Sequence, residues 1–143
     1  MEVTFESLGL SPAMLKALEA KGYGYPTTIQ AEAIPHFMQW KDVIAKAPTG
    51  TGKTFAFGIP MIEHIDPEVE GVQGLILAPT RELAIQIGDE LRGLLTYCQG
   101  IRVAVLYGGA GIGGVRPKGT RGGSPFRGLN RSAAARGRCR LAR

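Results

Sequence analysis

The chain has 143 residues, 44% of them hydrophobic, and a formal net charge of +5. This length predicts a single domain, and no apolar stretch is long enough to span a bilayer. The first residues are acidic and lack the apolar core of a secretory signal. The two cysteines lie far apart and lack metal-ligand spacing. We therefore expect a cytoplasmic protein with reduced thiols that does not act at a membrane.

The net charge hides two parts of opposite sign. Residues 1–109 carry 8 Lys/Arg and 12 Asp/Glu, a net charge of −4, whereas residues 110–143 carry 9 Lys/Arg and no acid, a net charge of +9. The second part also contains 8 glycines and no apolar period. Such a segment cannot bury enough apolar surface to offset its ordering entropy. We predict a folded domain over 1–109 and a disordered or non-native Gly/Arg-rich tail over 110–143.

Helix signals recur along the first part of the chain. Ser11 suits an N-cap, Pro12 the first helical position, and Gly22 the position after a helix end. Pro35 and Pro60 fall inside helical patterns, and Pro35 is expected to bend or interrupt its helix. The predicted helices are 13–21, 29–40, 53–65 and 80–97.

Three short apolar runs alternate with these helices and are predicted strands: 42–47, 74–78 and 101–107. The run 74–78 does not alternate with polar residues, which is typical of a strand covered on both faces. Strands that alternate with helices indicate parallel β/α units. The sequence therefore predicts an α/β fold with a parallel sheet covered by helices.

A phosphate-binding loop lies between the first predicted strand and the third predicted helix. Its residues are Ala47, Pro48, Thr49, Gly50, Thr51, Gly52, Lys53 and Thr54. Backbone N–H groups in such a loop form an anion site, and the helix N-terminus adds partial positive charge. Lys53 is expected to reach the β/γ-phosphates and the hydroxyl of Thr54 to bind Mg²⁺. The loop thus predicts binding of a nucleoside triphosphate, although Ala47 replaces the usual first glycine.

Three further clusters accompany the loop: 22–30, with Phe5 upstream, then 79–84, and 107–109. In order and spacing, the four clusters resemble the Q motif, motif I, motif Ia and GG motif of DEAD-box ATP-dependent RNA helicases. The resemblance covers residues 5–109 and implies part of the first, RecA-like P-loop domain. It also implies ATP and Mg²⁺ as cofactors and RNA as a partner.

The resemblance assigns the adenine base to Gln30 and Phe5. A Gln side chain can donate and accept at once, so it can pair with both N6–H₂ and N7 of adenine. Phe5 would stack on the base. From the residues alone, two other readings stay open: Gln30 caps a helix, and Phe5 is a core aromatic.

The resemblance also implies a contact with the sugar–phosphate backbone of one RNA strand, independent of base sequence. Its residues are Pro79, Thr80, Arg81, Gly108 and Gly109. Without the resemblance, the sequence favours a pair of solvated charges at Arg81 and Glu82. It favours a simple turn at the two glycines.

The catalytic set of the family is not complete in these 143 residues. Neither the Thr-Pro-Gly-Arg element nor the Asp-Glu-Ala-Asp motif occurs, and no Asp or Glu follows Glu90. The second RecA-like domain with its arginine fingers is also missing, and an arginine finger is worth ~10³–10⁵ in turnover in phosphoryl transfer. We expect ATP turnover by this chain alone to be negligible.

Two alternatives stay open from the sequence. In the first alternative, the tail is not native, because it is translated out of frame or comes from a truncated gene. In the second, it is a real basic RNA-binding segment, as Arg121-Gly122-Gly123 would favour. The chain itself is either the ATP-binding part of a helicase or a non-catalytic module that binds ATP or RNA. Another P-loop NTPase or kinase is a third reading, which the Gln30 cluster argues against.

Overall fold

The computed structural model describes residues 3–108. Within them lie four α-helices, α1 (Pro12–Ala20), α2 (Thr28–Met38), α3 (Lys53–Glu63) and α4 (Arg81–Leu94), with short 3-10 turns at Glu6–Leu8 and Leu95–Tyr97. All four helices were predicted. The largest difference is at the end of α4, where the last three predicted residues form the 3-10 turn. No helix in this part of the chain has the length and apolarity needed to cross a bilayer.

The two ends of α1 follow the predicted capping pattern. The hydroxyl of Ser11 accepts a hydrogen bond from the backbone N–H of Met14 at 3.3 Å. Ser11 also donates through its hydroxyl (2.8 Å) and its backbone N–H (3.2 Å) to the carboxylate of Glu63 at the end of α3. Gly22 follows the helix with a φ of +79°, a conformation that favours glycine. The cap of α1 thus also attaches that helix to α3.

Neither internal proline ends its helix. Pro35 lies within α2 and Pro60 within α3. A proline in a helix removes one backbone hydrogen bond. Pro60 is fully buried, so its packing in the core offsets that loss. The predicted interruption of the second helix at Pro35 is therefore not observed.

The core is built around α3, which is buried over most of its surface. α2 packs along it, and α4 crosses it where a Cβ on Gly58 would collide with Leu91. Glycine at position 58 therefore allows the two helices to approach closely. The buried apolar side chains are Phe5, Leu10, Met14, Leu18, Ile34, Phe55, Phe57, Ile59, Ile62, Ile87, Leu91 and Leu94.

The three predicted strands do not form strands within residues 3–108. Ile76, Ala78, Ile101 and Val103 nevertheless pack against the helical core. Their neighbours in sequence point to solvent, and Leu77 is 80% exposed. The expectation that 74–78 is covered on both faces is thus wrong for the described residues, because the helices present in them cover one face only. The parallel sheet stays a prediction.

The predicted tail, residues 110–143, lies outside the described residues, as does Gly109 of the GG motif.

Candidate nucleotide and RNA site

The predicted phosphate-binding loop turns at two glycines with left-handed backbone. Gly50 and Gly52 both have a φ of +82°, and Gly52 is the N-cap of α3. The hydroxyl of Thr51 donates to the carbonyl of Pro48 at 2.8 Å, which closes the turn. A Cβ at Gly52 would also collide with the side-chain nitrogen of Gln30. The backbone angle thus favours glycine at position 52, and a Cβ there would also displace the Gln30 amide from its present position.

The side chain of Lys53 contacts the opposite end of the loop. Its Nζ donates to the carbonyl of Ala47 at 2.6 Å, so the first helical residue of α3 contacts the first residue of the loop. Thr54 is the next residue of the helix and is half-buried. The amine is therefore already held beside the N-terminus of α3, where an anion would be stabilised by the helix dipole.

Two side chains from the start of α2 attach that helix to the loop. The hydroxyl of Thr27 donates to the carbonyl of Thr51 at 2.8 Å, and Gln30 Nε2 donates to the carbonyl of Gly52 at 3.1 Å. Gln30 Oε1 accepts from the backbone N–H of Thr27 at 3.0 Å, completing a capping box. The capping alternative for Gln30 is thus what the structure describes, with an added link to the loop.

Thr27 belongs to the cluster 22–30, but its sequence context predicted no role for it in the site. A capping-box pattern, Thr followed three residues later by Gln, was the available signal. That pattern predicts the local cap, whereas the bond from Thr27 to Thr51 depends on how α2 packs beside the loop.

A cleft of about 380 Å³ opens beside these contacts. It is lined by Thr27, Thr28, Ile29, Glu32, Lys46, Ala47, Pro48 and Thr51. Its size falls within the range of small-molecule sites, and it adjoins the loop where Lys53 lies. The cleft shares Ala47, Pro48 and Thr51 with the loop.

Phe5 does not lie in this cleft. Its side chain is 3% exposed and belongs to the core cluster that includes Leu10 and Met14. This burial agrees with the alternative in which Phe5 is a core aromatic, and its role as a base-stacking partner stays a prediction. A single aromatic before the first helix could not be assigned to core or ligand from sequence alone.

A second group of predicted residues lies at the N-terminus of α4. Thr80 is the N-cap, and its hydroxyl accepts from the backbone N–H of Leu83 at 3.2 Å. Pro79, Thr80 and Arg81 are all exposed, as is Gly108. The guanidinium carbon of Arg81 lies 5.8 Å from the ring centroid of Tyr107. The structure thus brings the predicted motifs at 79–81 and 107–108 together through a tyrosine that had no predicted role.

The thiol of Cys98 lies away from both groups. Burial raises the pKa of Cys98, and the negative charge of Glu63 raises it further. A thiol whose pKa is raised has little thiolate at neutral pH and is a poor nucleophile. We therefore assign it no part in the site.

The comparison with protein families decides the identity of the chain. Residues 27–118 match the family model described as DEAD/DEAH box helicase. The chain belongs to the DEAD/DEAH box helicase family. The predicted resemblance is confirmed, and the matched range includes the start of α2, the loop, and the α4 and Tyr107 segments.

Two bacterial RNA helicases are similar in sequence to this chain. The chain is 50% identical over 109 residues to the DEAD-box ATP-dependent RNA helicase CshA of Bacillus cereus, covering 76% of this chain and 21% of that protein. It is 46% identical over 108 residues to the ATP-dependent RNA helicase DeaD of Escherichia coli, covering 76% of this chain and 17% of that protein. The chain thus spans about a fifth of the length of these relatives.

Solved structures give the same family. A DEAD box protein from the hyperthermophile Methanococcus jannaschii matches with a TM-score of 0.72 and 41% identity, over 78% of this chain and 30% of that one. The RNA helicase Prp28 from Chaetomium thermophilum, bound to ADP, matches with a TM-score of 0.69 and 38% identity, over 78% and 28%. This likeness is consistent with part of a RecA-like domain.

Proposed function

We propose that this chain is the ATP-binding part of an ATP-dependent RNA helicase whose full-length form couples ATP hydrolysis to RNA strand separation. The observation that carries the proposal is the loop at 47–54, closed by Lys53 and attached to α2 by Thr27 and Gln30. A loop held in this way before ligand arrives needs little reordering on binding, which favours affinity.

The phosphates of ATP would bind to Lys53 and to the backbone N–H groups of Gly50 to Thr54. Lys53 Nζ now meets a neutral carbonyl. A phosphate oxygen would replace it with a stronger, charge-assisted hydrogen bond. The other loop residues, Ala47, Pro48 and Thr49, shape the turn beside the cleft. The anion would be bound by backbone N–H groups and not by the side chains of these three residues.

Magnesium would be held by Thr54 together with the phosphates and water. No group of three or more His, Cys, Asp or Glu side chains that could hold a metal occurs within residues 3–108. Mg²⁺ commonly keeps several waters and binds through substrate phosphates, so a single hydroxyl fits this mode. When bound, the ion would neutralise charge on the β- and γ-phosphates.

Gln30 would read adenine from the side of the cleft. Its amide donates one N–H to the carbonyl of Gly52, and its oxygen accepts the backbone N–H of Thr27 on one lone pair. A carboxamide has two N–H groups and two oxygen lone pairs, so one of each is left for a base. Because Gln30 is 3% exposed, adenine reading requires the residues that cover this spare N–H and lone pair to move, while the bonds to Gly52 and Thr27 are kept. Stacking of Phe5 on the base would require its ring to become accessible, because core side chains cover it.

RNA would bind at the other group of residues, Pro79, Thr80, Arg81, Gly108 and Gly109. Arg81 is exposed and carries its charge at the N-terminus of α4. Contacts of this kind bind phosphates without reading bases and weaken as salt rises.

The second candidate function applies to the 143-residue chain by itself, as a module that binds ATP or RNA without turnover. The sequence lacks the acidic motif that would activate water, and no carboxylate follows Glu90. We expect phosphate release to stay at buffer background with or without RNA. RNA-stimulated release by the purified chain would contradict this candidate.

The test of ATP binding compares Lys53→Ala with the unmodified chain by titration with a fluorescent ATP analogue. Hydrogen bonds to charged groups are worth about 1.5–3 kcal/mol, so the variant should bind about 10- to 150-fold more weakly. Lys41→Ala, which removes an exposed lysine outside the loop, is the matched control and should bind normally. Equal affinity of Lys53→Ala and the unmodified chain would overturn the proposed site.

A further inference from the structure

Tyr107 lies where the two proposed RNA-binding segments meet. Arg81 is the first residue of α4, and Tyr107 immediately precedes Gly108. The guanidinium carbon lies 5.8 Å from the ring centroid, within the range of a cation–π contact. Tyr107 is 36% exposed, so part of its surface remains accessible to solvent.

The guanidinium of Arg81 also contacts its neighbour in sequence, Glu82. Nε and Nη2 of Arg81 both lie 3.3 Å from Oε1 of Glu82. The two side chains are 58% and 74% exposed, and an exposed ion pair of this kind holds a side chain weakly. Neighbouring positions on a helix do not face each other, which weakens the pair further.

The two contacts of the guanidinium differ in kind, since one is an ion pair through N–H groups and the other is a cation–π contact. Glu82 occupies the N–H edge of the guanidinium, which is also the edge that binds phosphate in a fork. Tyr107 contributes the face of its own ring, whose centroid lies 5.8 Å from the guanidinium carbon. An RNA phosphate would therefore displace Glu82 but leave Tyr107 in place.

We propose that Tyr107 is a positioning residue for RNA binding, which holds the Arg81 guanidinium over its ring so that Arg81 and Gly108 meet the same RNA strand. The inference rests on the proposed RNA contact. Tyr107 acts through Arg81, so its effect must vanish when the guanidinium is absent.

The test measures binding of a short fluorescein-labelled oligouridylate to the 143-residue chain by anisotropy, at several salt concentrations between about 50 and 200 mM. Tyr107→Leu keeps an apolar side chain but removes the aromatic face, and should weaken binding about 2- to 5-fold. Tyr107→Phe keeps the face and should bind as the unmodified chain does. In the Arg81→Gln background, Tyr107→Leu should have no further effect.

Tyr97→Leu is the matched control, because Tyr97 is 38% exposed and carries Lys16 at 4.7 Å from its ring centroid, outside the proposed RNA contact. It should leave RNA affinity unchanged. Upfield-shifted Arg81 δ-proton resonances, kept in Tyr107→Phe and lost in Tyr107→Leu, would support the pairing directly.

The outcomes separate the two proposals. An unmodified chain that does not bind the oligonucleotide at low salt overturns the proposed RNA contact, and this inference with it. A chain that binds, with Tyr107→Leu unchanged or equally impaired in the Arg81→Gln background, overturns the positioning role alone.

Discussion

The two proposed binding regions are held together in different ways. The P-loop side, made of Thr27, Gln30 and residues 47–54, is joined by hydrogen bonds between segments distant in sequence. The α4 edge, made of residues 79–81 and 107–108, is held by a local cap, a pair of adjacent exposed charges and one aromatic contact. The first region is organised before a ligand binds, whereas the second can adjust to its ligand.

This difference suits the two proposed ligands, ATP and RNA. ATP is small, and its phosphates need several N–H groups in fixed positions. An RNA backbone is longer and is recognised mainly through charge, which tolerates modest displacement of one guanidinium. Substitutions on the P-loop side should therefore cost folding stability, and substitutions at the α4 edge should change RNA affinity with little effect on stability.

The largest effect is expected for Gly52→Ala. Its φ of +82° is unfavourable for alanine, and the new Cβ would collide with the Gln30 amide. Backbone strain of this kind costs about 1–3 kcal/mol, and the collision adds to it. Gly50→Ala is a matched control, because its φ is also +82° but nothing lies within 4 Å of the added Cβ. Urea denaturation should show a greater loss for Gly52→Ala. Equal losses of unfolding free energy in the two variants would mean that the contact with Gln30 adds no cost at position 52.

A somewhat smaller effect is expected for Gln30→Ala, which removes both bonds of the buried amide. The partners left behind are the N–H of Thr27 and the carbonyl of Gly52. Both bonds are only part-buried, so water can replace the lost amide, and each bond contributes about 0.5–1.5 kcal/mol. Gln30→Glu separates the two bonds, since a carboxylate still accepts from Thr27 but cannot donate to Gly52. Its free energy of unfolding should also fall. Full stability of Gln30→Glu would show that the link to the loop contributes nothing.

The smallest change in stability is expected for Glu82→Gln at the α4 edge. An exposed ion pair is worth about 0–1 kcal/mol, so the unfolding free energy should change by less than that. RNA affinity should nevertheless rise, because a phosphate no longer has to displace the carboxylate from Arg81. Asp89→Asn, which removes a similar exposed pair with Arg92, is the control and should leave RNA affinity unchanged. A large loss of stability in Glu82→Gln would remove the contrast between the two regions.

Local patterns were sufficient for the helices and for the loop. Ser11, Pro12 and Gly22 predicted α1 to within one residue, because capping depends on a few neighbouring backbone groups. The glycines and Lys53 predicted the phosphate-binding loop for the same reason. The order of the four motifs was also enough to indicate the family, and the match over residues 27–118 confirms it.

Contacts between distant segments could not be read from the same patterns. Phe5 proved to be a core residue, Gln30 proved to join α2 to the loop, and Tyr107 proved to contact Arg81. The run 74–78 looked suited to burial on both faces, yet Leu75 and Leu77 are exposed. Composition and spacing describe what each segment can do alone. The packing of helices that are far apart in the chain decides which face is covered. It also decides which side chain reaches a neighbouring loop.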